Sequence, residues 1–234
     1  KWINAQVLDK LYGRIEFTSA KGAEDLNIIN TAFTINDSAH AIVEIQDAEL
    51  FFNNKRWTID EQNGNPTLVA ASTSDFAFSN LNFITETSSI IADASQKGSD
   101  AFAVDVKFSN VYMSDLLSFQ KDRWEGIVNG FLNIRQSPSG FGGNSNLHLS
   151  DLALNGVALG EAELKLQSNK ENQDYQLALQ ISDDGKDVFL ATGTLGIENA
   201  VPTWEVDVAF SDYNMSLIAG LTSDVFSPFS GKAN

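Results

Sequence analysis

Few side chains in this chain can do acid–base chemistry near neutral pH: the only histidines are His40 and His148. Each lies beside or within an alternating stretch with no acid–base motif around it, and each reads as a solvated or packed histidine. Ser118-Phe-Gln-Lys121 has the S-x-x-K spacing of serine acyl enzymes, but the companion motifs S-D-N and K-T-G are absent. Asp183-Asp184-Gly185-Lys186 lacks the spaced oxygen ligands of a calcium loop and reads as a hairpin turn. Gly140-Phe-Gly-Gly143 has neither the Lys-Ser/Thr of a phosphate loop nor a helix after it. Asn36-Asp-Ser38 and Asn214-Met-Ser216 fit the glycosylation sequon, as a chain rich in Asn and Ser will by chance. Catalysis needs several tuned polar groups converging on one place, and no such set emerges. The expectation is a protein that is not an enzyme, with no catalytic residue, no metal and no cofactor.

The elements behind these residues are organised by a repeat. Residues 102–124 recur about 102 positions later, on residues 204–226. Val104-Asp105-Val106 matches Val206-Asp207-Val208, Phe108-Ser109 matches Phe210-Ser211, and Met113-Ser114 matches Met215-Ser216. Upstream, Leu50, Phe52 and Asn53 fall on Leu152, Leu154 and Asn155. Self-similarity at this length means one architectural unit laid down more than once. The reading is a single elongated segment with repeats at 1–100 and 101–202 and a partial copy at 203–234. Lys1 at the start and Asn234 inside a repeat copy lead to the expectation of a fragment cut from a longer chain.

Between these landmarks the apolar residues alternate. Examples are Val43/Ile45, Trp57/Ile59, Phe76/Phe78, Leu147/Leu149, Leu152/Leu154, Leu164/Leu166, Leu177/Leu179 and Val206/Val208. With 16 Gly and only 4 Pro, this patterning predicts many strands with turns between them. Turns are expected at Asn53-Asn54, Asn155-Gly156 and Asp183-Asp184-Gly185, and a phase slip at Ser79-Asn80 predicts a bulge or turn there. Residues 25–35 read as two strand segments, residues 188–197 as two strands around Gly193, and residues 137–146 as the most flexible loop. Leu116, Leu117 and Phe119 fit one or two helical turns. The fold class is therefore all-β, with at most one or two very short helices.

Charge narrows the partners. A formal net charge of −16 argues against nucleic acid, whose phosphates need Lys and Arg, and against docking on an anionic membrane surface. The chain has no cysteine, so neither a disulfide nor a thiolate metal site is available. Strand after strand offers one apolar face, and no helix is long enough to cover a sheet. Either these faces seal against one another in a sandwich or barrel, or they curve without closing into a trough. Repeats stacked along one axis favour the trough, since they extend a sheet in place of closing it.

The chain resembles the C-terminal region of the TamB proteins of the AsmA-like group of bacterial envelope proteins, in the Bacteroidota version. The features that carry the resemblance are Lys55-Arg56-Trp57-Thr58-Ile59, Phe76-Ala-Phe78-Ser-Asn-Leu81, Asp105-Val106-Lys107-Phe108-Ser109 and Gly126-Ile127-Val128-Asn129-Gly130. Leu152-Ala-Leu154-Asn-Gly156-Val-Ala-Leu159-Gly160 is the most telling, followed by Ala191-Thr-Gly193 and Phe229-Ser-Gly231. The resemblance spans most of the chain through order and spacing more than through invariant residues. It implies an elongated, curved antiparallel or mixed sheet with an open hydrophobic groove, a β-taco, in the periplasm. It also implies an inner-membrane anchor in the full-length protein, a partner barrel protein of the TamA type in the outer membrane, and a part in envelope assembly or lipid transport.

Mapped onto the alternating positions, the groove so implied is lined by Val43, Ile45, Trp57, Ile59, Phe76, Phe78, Val104, Val106, Phe108, Leu147, Leu149, Leu152, Leu154, Leu164, Leu166, Leu177, Leu179, Val206 and Val208. Phospholipid acyl chains are the expected occupants, shielded between the inner and outer membranes with the headgroup in solvent. Two alternatives stand beside this. The same fold could serve outer-membrane protein assembly through its open edge. A β-sandwich carbohydrate-binding or adhesin module would instead stack sugars on its four Trp and four Tyr, although these are scattered along the strands.

Overall fold

A computed structural model describes residues 10–18, 26–36, 40–52, 55–60, 62, 64–98, 101–117, 123–137, 140–169, 174–198, 201–211, 213–214 and 232–233. The protein is all-β, as its alternation requires. It divides into two compact units, residues 1–108 and 109–234.

The first unit contains β1 (Leu11–Thr18), β2 (Leu26–Ile35), β3 (Ala41–Phe52), β4 (Lys55–Ile59), β5 (Thr67–Ser72), β6 (Asp75–Ile84) and β7 (Ser89–Lys97). The strand β8 (Ala101–Tyr112) carries the chain into the second unit, followed by the single-turn helix α1 (Met113–Leu116). The second unit continues with β9 (Trp124–Ser137), β10 (Gly140–Gly142), β11 (Asn144–Leu154), β12 (Val157–Asn169), β13 (Asp174–Asp183), β14 (Lys186–Glu198) and β15 (Val201–Phe210). The short strands β16 (Tyr213–Asn214) and β17 (Lys232–Ala233) pair with each other.

Every pairing given by residue register is antiparallel. In the first unit the order is β1-β2-β3-β4-β6-β7, with β5 bridging β3 and β6. In the second it is β9-β11-β12-β13-β14-β15, with β10 folded back on β9. Two of the expected turns form two-residue hairpins. Asn155-Gly156, with φ of 51° and 78°, joins Leu154 to Val157. Asp184-Gly185, with φ of 47° and 73°, joins Asp183 to Lys186. Both carry the paired positive φ that suits the twist of the flanking strands. Asn53-Asn54 and Ser118 to Lys121 lie outside the described residues.

Several local expectations are corrected. Residues 25–35 are not two segments: β2 is one strand of 10 residues. The strand β14 runs unbroken for 13 residues through Gly193, which takes part in the ladder opposite Val206. A Cβ at Gly193 would meet the Glu205 carbonyl, so this glycine admits close approach of β15 and does not end a strand. Among residues 137–146, Ser137 ends β9, Gly140-Phe-Gly142 forms β10 and Asn144 opens β11, so the described residues there are mostly strand. A single helical turn lies at Met113–Leu116, and Phe119 of the expected Leu116/Leu117/Phe119 segment lies outside the described residues. The strand β5, at Thr67–Ser72, is not among the expected strands.

Candidate functional site: an apolar sheet face

Residues directly opposite each other in an antiparallel ladder point to the same face, so register identifies the faces without further assumption. In the second unit one row runs Gly130, Leu147, Leu164, Leu179, Ala191, Val208 across six successive strands. The next row runs Val128, Leu149, Ala162, Ile181, Phe189, Phe210. A third runs Leu132, Ser145, Leu166, Leu177, Gly193, Val206. Of these eighteen positions only Ser145 has a polar side chain, and its Oγ accepts the Asn133 N–H at 3.1 Å. The opposite face carries Asn129, His148, Glu163, Gln180 and, one row on, Asn146 and Lys165. His148 therefore stands on the polar face between Asn129 and Glu163, and it is exposed.

The first unit repeats the arrangement. Leu11, Phe33, Val43, Leu68, Phe78 and Ala94 form one row over six strands. Ile35, Ala41, Ala70 and Phe76 form the row beside it, ending at Gln96. Ala41, Leu68, Ala70 and Phe76 line a depression of about 500 Å³, because alanines leave space that larger side chains would fill.

Bulges keep the apolar side chains in phase over strands of up to 14 residues. Strict alternation would send Leu152 and Leu154 to the polar face if Leu149 is on the apolar one. Asp151, at φ 52°, absorbs one residue where the register shifts between Leu149 and Leu152. Asn80, at φ 61°, does the same between Phe78 and Leu81, so the expected phase slip at Ser79-Asn80 is a bulge. Asn110, at φ 51°, follows Val104, Val106 and Phe108 on β8 and precedes the fully buried Val111. Two of these left-handed residues have their amides capped by a neighbouring strand. Asn80 N–H donates to Asp93 Oδ1 and Asn110 N–H to Asn129 Oδ1, each at 2.8 Å.

Burial sorts the candidate residues into two kinds. Trp57, Ile59, Leu152 and Leu154 are buried, the last two in a cluster with Leu159 and Ala162 against which Trp124, Leu149, Leu179 and Ile181 pack. Val43, Ile45, Phe76, Phe78, Val104, Val106, Phe108, Leu147, Leu149, Leu164, Leu166, Leu177, Leu179 and Val206 are half-buried, and Val208 is 49% exposed. Within each unit, among the described residues, the substantial strand contacts are those between hydrogen-bonded neighbours, apart from β10, which also approaches β12 and β13.

One end of the second unit's face is tied down by Tyr175. Its buried hydroxyl donates to the Gly142 carbonyl at 2.5 Å and accepts the Arg135 N–H at 3.4 Å, fastening the β9–β10 hairpin to β13. Burial pushes the phenol above its ordinary pKa, against the opposing effect of these backbone bonds. Asp151, Leu152, Glu161, Asp183 and Asp184 border a depression of about 510 Å³. No group of three or more His, Asp or Glu placed to hold a metal ion occurs among the described residues.

Sequence reasoning missed part of this face. Leu68 and Ala70 lie on the unforeseen β5. Ile181, Phe189 and Phe210 were visible as strand residues, and their two-residue spacing from Leu179, Ala191 and Val208 was the available signal. Phe189 and Phe210 stack edge-on with ring centroids 5.3 Å apart. Ala162, Ala191 and Gly193 carry too little hydrophobicity to mark a face, yet they form its floor. No protein-family model, no curated protein and no solved structure matches this chain, so its functional reading rests on this geometry and on the residues that build it.

Proposed function

We propose that this chain is a lipid-shielding module whose apolar sheet faces hold phospholipid acyl chains during transport between the membranes of a bacterial envelope. The observation that carries the reading is the run of three apolar rows over six strands in the second unit, with Leu147, Leu164, Leu166, Leu177, Leu179 and Val206 only half-buried and Val208 exposed. A contiguous apolar surface of this extent in a water-exposed protein marks a place where something apolar binds. Moving a phospholipid through water exposes roughly 30 methylenes, which at ~0.8 kcal/mol each costs on the order of 20 kcal/mol. A continuous apolar face lowers that cost by letting acyl chains slide from strand to strand while the headgroup stays wet.

The resemblance to the TamB proteins supports the same reading, with a periplasmic location, an inner-membrane anchor and a TamA-type barrel partner as parts of the proposal. A carbohydrate-binding role is less well supported, because sugar stacking needs exposed aromatics gathered together. Trp57 is only 1% exposed, while Trp204 is 75% exposed. The test is native mass spectrometry of the purified chain, together with thin-layer analysis of what it carries. Co-purifying phospholipid, released by a charge at Leu177 or Val206 in a still-folded protein, is the expected result. Retention on a glycan array with no lipid extracted would sink the proposal.

A further inference from the structure

Three Asn-Gly pairs occur in the sequence, Asn63-Gly64, Asn129-Gly130 and Asn155-Gly156. In such a pair no side chain on the second residue shields its amide from the asparagine Cγ. Asn63 lies outside the described residues, and the structure puts the other two pairs in opposite settings. Asn129-Gly130 lies within β9, with Asn129 opposite His148 and Gly130 opposite Leu147. Asn155-Gly156 is the β11–β12 turn, exposed at both residues and outside the ladder that Leu154 and Val157 close.

We propose that Asn155 is a site of spontaneous deamidation, and that the fold withholds Asn129 from the same reaction. The Gly156 amide nitrogen, having given its proton to hydroxide, attacks Asn155 Cγ. An N–Cγ bond forms, the Cγ–Nδ2 bond breaks, and Nδ2 takes a proton from water and leaves as ammonia. The product is a cyclic imide, which water then opens. Cleavage of the new N–Cγ bond gives aspartate. Cleavage between that nitrogen and the Asn155 carbonyl carbon gives isoaspartate, whose main chain runs through Cβ. The net change consumes one water and releases one ammonia, with nothing oxidised or reduced.

Negative charge grows on Oδ1 during the attack, and a donor already aimed at that oxygen stabilises it. Both pairs have one: the Arg123 N–H donates to Asn155 Oδ1 at 2.9 Å, and the Asn110 N–H to Asn129 Oδ1 at 2.8 Å. The side-chain setting is therefore alike, and the backbone decides. Attack requires rotation about the bond between the asparagine Cα and its carbonyl carbon, which swings the next peptide aside. At Gly130 that motion pulls a residue out of the β9–β11 ladder, where a Cβ would already meet the Asn146 carbonyl. At Gly156 the moving peptide belongs to the turn, and apart from its chain neighbours nothing lies within 4 Å of where a Cβ would stand. The bond from the Asn155 N–H to the Arg123 carbonyl lies on the other side of the rotating bond, so it need not break. A turn opens at lower cost than a paired strand. The inference is independent of the lipid reading, since it concerns a turn and not the apolar face.

The test is peptide mass mapping of the chain through incubation at mildly alkaline pH, folded in buffer and unfolded in urea, with an isoaspartyl methyltransferase assay on the separated peptides. In the folded chain the exchange of amide for acid is expected at Asn155 at least roughly tenfold faster than at Asn129, with isoaspartate among the products. In urea the ladder is gone, and the two pairs should react at similar rates. No mass gain at Asn155 in the folded chain, over the time in which the urea sample reacts, would overturn the proposal. So would equal rates at Asn129 and Asn155 in the folded chain. A preference for Asn155 that persists unchanged in urea would also overturn it, by assigning the difference to neighbouring sequence and not to the fold.

Discussion

Asn80, in left-handed backbone at φ 61°, donates its amide hydrogen to Asp93 Oδ1 at 2.8 Å across the β6–β7 ladder. The bond satisfies an amide that the bulge has removed from regular pairing, and it holds Phe78 and Leu81 on one face. Asn tolerates this backbone, whereas a β-branched side chain does not. Asn80→Gly should change stability by less than about 0.5 kcal/mol, and Asn80→Val should cost about 1–2 kcal/mol. Asp93→Ala should cost about 1 kcal/mol by leaving the amide without its charged acceptor. Urea unfolding of the three variants checks the ranking. A harmless Asn80→Val would show that left-handed backbone is not required at this position.

The sequence made the class of fold legible because alternation has a direct physical cause: one face of each strand must leave water. Asn155-Gly156 and Asp184-Gly185 were legible as turns for a local reason, their tolerance of positive φ. The strand β5 was hidden because Thr67–Ser72 follows Pro66 and holds only Leu68 and Val69 as large apolar residues. Gly193 misled because glycine usually punctuates structure, and only the tertiary approach of Glu205 explains its place inside β14. Alternation also identified most of the apolar face, yet it could not distinguish a buried Leu154 from a half-buried Leu177. That difference depends on which neighbours fold over each position.

Tyr175 ties a hairpin to the sheet through a buried hydroxyl. Removing it in Tyr175→Phe should cost about 1–2 kcal/mol, since the Gly142 carbonyl loses its donor and the Arg135 amide its acceptor. The pH response follows from the raised phenol pKa. The folded state favours the neutral form, so this contribution is complete below the unfolded pKa and is lost as pH rises through the folded one. Unfolding midpoints above pH 10 should therefore fall more steeply for the parent than for Tyr175→Phe. Parallel alkaline limbs would rule out a titrating role for the buried phenol.

Glu44 predicts the opposite limb. Its carboxylate accepts from Asn65 Nδ2 at 2.9 Å and from Lys10 Nζ at 3.3 Å. The Asn65 hydrogen bond, more than the lysine, draws its pKa below the ordinary 4.5, against a smaller desolvation effect. A lowered folded pKa contributes stability above the unfolded value and loses it as pH falls through the folded one. Asn65→Leu should therefore cost up to about 1 kcal/mol at neutral pH, and the deficit should close in acid as Glu44 protonates in both proteins. Denaturant titrations at neutral pH and below the carboxylate range measure both quantities. A deficit of equal size at both would assign the loss to packing.

Leu177 and Leu154 separate a lining residue from a core residue on the same unit. Leu154 is 5% exposed within the apolar cluster, and a carboxylate there would be buried without a partner. Leu154→Glu should therefore cost more than about 4 kcal/mol or abolish folding. Leu177 is half-buried, with Leu166 on one side and Gly193 on the other. A flexible glutamate at this position can turn its charge toward water at the missing side chain of Gly193, so Leu177→Glu should cost about 1–2 kcal/mol and leave the fold intact. On the lipid reading the same substitution should lower binding of a fluorescent-acyl phospholipid at least tenfold, because a charge then sits in the path of the tail. Leu177→Met, similar in volume and apolar, should preserve both stability and binding. If Leu177→Glu unfolds the chain as Leu154→Glu does, Leu177 belongs to a sealed core and the apolar face is not available to a ligand.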